Sequence, residues 1–201
     1  MDKQFWNDRY AEEGFAYGTD PNTYLKSLKS LFKPGSRALL VCDGEGRNGV
    51  WLAQQGLQIV SVDYSRIGLE KAEMMAEDKG VSIETVCADI YSWDWPVSEF
   101  DYVILIYAHF KEDQRARIHQ SAINALKPGG QLVMEAYTKE QMNYASGGPQ
   151  DPSMLYSREM LEQDFATARI SQLETLVAML NEGKYHVGDG AIIRLIAHRD
   201  K

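Results

Sequence analysis

The residues of this chain that could do chemistry fall in short polar clusters, each placed just after an apolar run. The first is Cys42-Asp43-Gly44-Glu45-Gly46-Arg47-Asn48-Gly49. Its glycines let the backbone turn sharply and come close to a ligand. The loop feeds a helix start, where free amides and the helix dipole favour an anionic group such as the carboxylate of a bound amino acid. A tight turn with no ligand would use the same residues. The second cluster, Asp63-Tyr64-Ser65, places an acid roughly 20 residues after the glycines, as suits paired hydrogen bonds to ribose hydroxyls. The alternative is a helix cap, which Ser65 could supply instead. In the third, Ala88-Asp89-Ile90, the carboxylate could accept from an exocyclic amine while Ile90 lies against a base. A solvent-exposed Asp in a turn is the competing reading.

The fourth cluster, Tyr107-Ala108-His109-Phe110, is where a second reactant would arrive. His109 could act as general base, orient that molecule, or cap a helix. In the fifth, Glu135-Ala136-Tyr137, the acid could bind substrate or pair with Arg47. Tyr17, in the aromatic stretch bracketed by Gly14 and Gly18, joins Tyr137 and His186 as a substrate or lid candidate. Tyr185 and His186 could reach the site from ahead of the last strand. Residues 143–152 carry no periodic pattern and read as a mobile loop over the site or as a plain connection. Trp93 and Trp95 read as core or lid. His119 and His198 receive no role.

These clusters need elements to hold them. Phe5 to Tyr10 reads as a weak short helix. Asp20-Pro21 reads as cap and first turn of a helix that puts Tyr24, Leu25, Leu28, Leu31 and Phe32 on one side and ends at Lys33-Pro34-Gly35. Apolar runs over 38–42, 58–62, 82–87, 102–106 and 132–134 read as strands. Helices are expected over 48–55, 67–78 and 112–126, the last broken by Lys127-Pro128-Gly129-Gly130. Strand and helix alternate at short spacing, which gives an α/β fold with a parallel sheet and right-handed crossovers. After a helix near 157–164, strands over about 173–180 and 191–198 add an antiparallel edge, joined by a loop holding Glu182-Gly183 and Gly188-Asp189-Gly190. Ligands of such sheets bind outside the carboxyl ends of the strands.

Composition bounds the partners. The chain has 201 residues, 44% hydrophobic and 25% charged, with a net charge of -8. That charge repels phosphate backbones, and no basic block stands against it, so nucleic acid is not an expected partner. No apolar run approaches the roughly 20 residues of a membrane span, and residues 1–4 do not begin a signal peptide. Cys42 and Cys87 lie in or beside apolar runs and read as buried free thiols of a reducing compartment, so the expected location is cytoplasmic. No metal spacing is present. One domain is expected: a helical cap over 1–34, a cofactor-binding core over 35–138, and a lid loop, helix and strand pair over 139–201.

Taken together, the glycine loop, Asp63, Asp89, Lys127-Pro128-Gly129-Gly130 ahead of a strand and the terminal strand pair resemble the class I S-adenosylmethionine-dependent methyltransferases. The likeness covers most of the chain. Phe5-Trp6-Asn7-Asp8-Arg9-Tyr10, Tyr17-Gly18-Thr19-Asp20-Pro21-Asn22 and Gly44-Glu45-Gly46-Arg47-Asn48 are most similar to the small enzymes related to tellurite-resistance and thiopurine methyltransferases. The resemblance implies a Rossmann-like, mainly parallel seven-stranded sheet with helices on both faces and an antiparallel C-terminal strand. It implies S-adenosyl-L-methionine as cofactor, with Cys42, Asp43, Gly44, Glu45, Gly46 and Asn48 around its methionine half. Asp63, Tyr64 and Ser65 would meet the ribose side, Ala88, Asp89 and Ile90 the adenine, and Tyr107 the far side. The usual loop reads Asp-x-Gly-x-Gly-x-Gly. Here Leu40 replaces the acid and Cys42 the first glycine, and Asp43 or Glu45 are the candidates to make up the lost carboxylate. Methyl transfer to a small acceptor by a monomer or homodimer is the function implied. An NAD-type oxidoreductase and a non-catalytic cofactor-binding module are the rivals.

Overall fold

The computed structural model describes residues 3–200. Its strands are β1 (Arg37–Val41), β2 (Gln58–Asp63), β3 (Glu84–Cys87), β4 (Phe100–Ile106), β5 (Leu126–Tyr137), β6 (Arg169–Asn181) and β7 (Val187–His198). They form a seven-stranded sheet of order β3-β2-β1-β4-β5-β7-β6. β1 with β2, β2 with β3, and β4 with β5 pair in parallel, while β7 runs antiparallel to both β5 and β6. This is the Rossmann-like sheet the sequence implies. The chain divides into two compact units, one running to Trp93 and including Glu182–Tyr185, the other comprising Asp94–Asn181 and the stretch from His186 onward.

In the first unit, Ala38 to Val41 are all buried, as a strand covered on both faces requires. The glycine loop leads into α3 (Arg47–Gln54), and Asp63-Tyr64-Ser65 into α4 (Arg66–Asp78). Ser65 caps α4 by accepting from the Gly68 amide. α1 (Lys3–Ala11) packs on α4. α2 is only Thr23–Ser27, followed by a 3-10 turn over Lys29–Leu31. Its cap is Asn22, not Asp20-Pro21: the Asn22 carboxamide accepts from the Leu25 amide at 2.9 Å. β3 is the edge strand, so Cys87 is exposed rather than buried, and Cys42 is partly buried.

In the second unit, β4, β5 and β7 carry the core, with Val103, Leu105, Leu132, Met134, Ile193 and Leu195 fully buried. α5 (Glu112–Ala125) buries Ile118, His119, Ala122, Ile123 and Ala125. His119, to which the sequence gave no role, bonds Asp164 at 2.8 Å while Arg115 bonds the same carboxylate at 2.6 Å. The carboxylate comes from α6 (Arg158–Asp164) and lets a polar ring sit in an apolar layer. β6 and β7 run longer than expected because Gly188-Asp189-Gly190 is strand, not loop. A side chain at Gly190 would press on Leu180 and on the Ser146 hydroxyl, so glycine allows that close pairing. Within residues 143–152, Ser146 and Gly147 are tied down: Gln141 is buried and bonds both, while it accepts from the Ala191 amide.

Candidate functional site

Parallel register sets the carboxyl ends of β1, β2 and β3 side by side. Val41 is level with Val62, and Asp63 with Cys87. The register continues into the loops: the Cys42 amide donates to Val62 O at 2.8 Å and the Ala88 amide to Asp63 O at 3.0 Å. Cys42–Gly46, Asp63–Ser65 and Ala88–Ile90 are thereby brought together within the first unit. Asp63 joins them. One carboxylate oxygen accepts from the Gly44 amide at 2.8 Å, the other from the Ser65 amide at 2.9 Å. Burial pushes the Asp63 pKa up, and the amides of Ser65 and Gly44 partly counter it.

Cys42 has φ 59, a left-handed conformation that costs a non-glycine residue on the order of 1 kcal/mol. It does so where the loop of the methyltransferases that the sequence resembles has glycine. Its thiol is held well above the ordinary range by burial and by the nearby Asp63. Over the loop lies Tyr10, buried, its ring against Gly44 and Gly68; a side chain at Gly44 would collide with the Tyr10 hydroxyl.

Several residues expected on the ligand side hold the loop instead. Asp43 accepts from the Ser61 hydroxyl at 2.7 Å. Glu45, 5% exposed, accepts from the Ala16 amide at 2.7 Å and from Lys71 Nζ at 3.0 Å. Glu45 is thus not left to replace the acid lost at Leu40, which is itself buried in β1, whereas Asp43 keeps one buried oxygen without a partner. Asn48 accepts from the Asn22 amide at 2.9 Å. Ser65 is wholly buried as a cap and donates to Asn7. Asp89 closes a turn by accepting from the Tyr91 amide at 3.0 Å, with Ile90 buried beside it and Tyr64 half-buried across the strand ends. Arg47 does not pair with Glu135. Its guanidinium bonds Glu182 at 2.7 Å, both side chains less than a tenth exposed, and Glu182 also accepts from Asn22 and the Thr23 amide. Tyr17 accepts from Arg9 at 3.2 Å and lies 6.0 Å from the Tyr185 ring.

The second unit gathers an aromatic group of its own. Tyr107, at φ 52, stacks on Tyr137 at 4.8 Å and meets His186 edge-on at 4.4 Å. The Tyr107 hydroxyl donates to Glu135 at 3.1 Å, and Arg194 bonds the same carboxylate at 2.7 Å. Glu135 and Arg194 are opposite one another across β5 and β7, which explains the pairing. His109 is not placed as a base. Its Nδ1 bonds Met154 O at 2.8 Å, and its Nε2 accepts from the Tyr137 amide at 3.2 Å. Both nitrogens are engaged by backbone, and burial holds the pKa down to about 4. The ring stacks between Tyr137 and Tyr156, so it ties two segments together.

Sequence reasoning missed Tyr10, Glu182 and Arg194. Tyr10 had only its place in an aromatic helix as a signal. The partners of the other two are far away along the chain.

Residues 38–130 match the methyltransferase domain family. No curated protein matches the chain in sequence. Among solved structures, the chain is similar to the protein described under "Conversion of a Disulfide Bond into a Thioacetal Group during Echinomycin Biosynthesis", with 18% identity, TM-score 0.78, and 99% of this chain and 93% of that one covered. It is similar to TehB from Haemophilus influenzae at 13% identity and TM-score 0.72, over 98% of this chain and 67% of that one. A SAM-dependent methyltransferase from Aquifex aeolicus matches at 16% identity and TM-score 0.67, over 98% of each chain. At such identities these likenesses speak for the fold.

The residues present fit an adenosyl cofactor. The amides of Gly44, Ser65 and Tyr64 hold the Asp63 carboxylate, whose two oxygens offer about four acceptor positions, so capacity remains for a ribose hydroxyl. Ile90 supplies an apolar wall beside the Asp89 turn. Residues 38–130 therefore match a methyltransferase domain, and S-adenosylmethionine is the cofactor that such a domain implies.

Proposed function

We propose that the enzyme passes the cofactor's methyl group to a small soft nucleophile, a thiolate or chalcogen oxyanion, with the adenosyl half held by Asp63 and the loops beside it. The bound cofactor supplies a methyl group already activated on its sulfonium. The chain's own residues then bind, orient and exclude water, and positioning alone contributes on the order of 7–11 kcal/mol. The observation that carries the reading is the Asp63 carboxylate, fixed from two sides by amides with acceptor capacity left over. Tyr10, packed over Gly44, shields that end from water. A soft acceptor is favoured because His109, the candidate base, is engaged at both nitrogens. The likeness of the N-terminal motifs to the tellurite-resistance branch supports the same acceptor class.

Calorimetry with S-adenosylhomocysteine tests the cofactor half. Asp63→Ala is expected to weaken binding about 10- to 100-fold, as loss of charged hydrogen bonds predicts. Unchanged affinity, or tight NAD binding in its place, would overturn the reading. A panel of thiols and chalcogen oxyanions with the unaltered enzyme tests the acceptor half. Turnover of phenols or amines but of no soft nucleophile would remove it.

A further inference from the structure

The corner of the first unit around the glycine loop pairs its cations with carboxylates. Arg47 has Glu182, Lys71 has Glu45, and Lys184 has Glu12. Lys3, over the Tyr64 ring, and Arg9 are the exceptions. Among the described residues no carboxylate is bonded to the Arg9 guanidinium. The group lies 3.6 Å from the Tyr185 ring centroid and 5.0 Å from that of Phe5, and one nitrogen donates to the Tyr17 hydroxyl at 3.2 Å. Glu12, one turn further on, is already engaged by Lys184 and by the Tyr185 hydroxyl at 2.5 Å. Glu12 acts on Arg9 through space without a bond, so the guanidinium has no bonded counter-charge of its own in a chain of net charge -8.

The geometry suits a purpose. Aromatic faces fix the plane of the guanidinium and leave its in-plane N–H groups as a planar fork, the arrangement that takes a carboxylate or oxyanion with two bonds. The neighbours of Arg9 along the chain lead to the cofactor loop. Arg9 precedes Tyr10, which lies on Gly44, and Tyr17 follows Ala16, whose amide donates to Glu45. We propose that Arg9, framed by Phe5, Tyr17 and Tyr185, is a binding site for an anionic group of a ligand at the active site, a carboxylate or oxyanion. This rests on the function proposed above. The anion has two sources, the acceptor or the methionine half of the cofactor, and the chemistry is the same for both.

Two ligand pairs separate them, titrated calorimetrically into the unaltered protein, Arg9→Met and Arg9→Lys, with thermal unfolding as a check on folding. Benzoate against benzamide reads an acceptor anion in the protein loaded with S-adenosylhomocysteine. S-adenosylhomocysteine against methylthioadenosine, which lacks the carboxylate, reads the cofactor. The anionic member of one pair is expected to bind at least about tenfold more tightly, with that preference lost in Arg9→Met and partly kept in Arg9→Lys. Loss in the first pair assigns the acceptor; loss in the second assigns the cofactor. If the unaltered protein shows no preference in either pair, or Arg9→Met keeps the preferences intact, the proposal fails. Should S-adenosylhomocysteine not bind at all, the methyl-transfer reading falls, and benzoate against benzamide on the unloaded protein still decides for or against Arg9.

Discussion

Asp43 answers a local need. The N-cap of α3 is Gly46, which has no side chain to satisfy the first amides of the helix. Asp43 reaches under the loop and accepts from the Gly49 amide and the Ser61 hydroxyl, while its other oxygen is buried without a partner. Burial raises its pKa from 3.8 to about 7. The folded protein therefore holds a proton that the unfolded chain releases, and stability falls as pH rises between about 4 and 7. The effect is at most about 4 kcal/mol, by the conversion of about 1.36 kcal/mol per pH unit. Asp43→Asn is expected to flatten that slope in urea titrations made from pH 4 to 8; an unchanged slope would place the titrating group elsewhere. Asp43 and Glu45 show why the sequence could mark the loop but not apportion its side chains. Local spacing says that a carboxylate follows β1, and only the packing of Lys71, Ala16, Ser61 and Gly49 decides where it points.

At the scale of elements, the turn between β6 and β7 anchors the N-terminal segment. Glu182 gathers Arg47, Asn22 and the Thr23 amide, and Gly183, at φ 71, lies so close to Tyr17 and Gly18 that no side chain fits there. Removing one partner of a buried ion pair strands the other, typically at 3–5 kcal/mol. Glu182→Ala is expected to lose stability in that range by urea unfolding. The double change Glu182→Met with Arg47→Met is expected to recover much of it, because a matched apolar pair strands no charge. A double variant as unstable as the sum of the two singles would refute the coupling. The strands and helices themselves were legible from apolar runs and breakers, and α4 ends at Asp78 as its period indicated. β7 was misjudged because Gly188 and Gly190 read as loop, whereas both are strand positions, Gly188 at φ 105 and Gly190 where Leu180 and Ser146 crowd the backbone.

Across the whole molecule, the fold class follows from alternation and from a few turn signals, and it holds. The three loops after β1, β2 and β3 were legible as one site because a parallel sheet must bring the ends of its strands together. Ion pairs between distant segments were not, since no local pattern specifies them. Glu182 meets Asn22 across 160 positions of sequence and Arg47 across 135. Closing loops of that length costs entropy before any contact repays it. During synthesis, then, the stretch around Asn22 must wait for the ribosome to deliver another 160 positions before its carboxylate partner exists. Until Glu182 emerges, Arg47 lacks that counter-charge, and the order of manufacture delays the anchoring of the Asn22 segment.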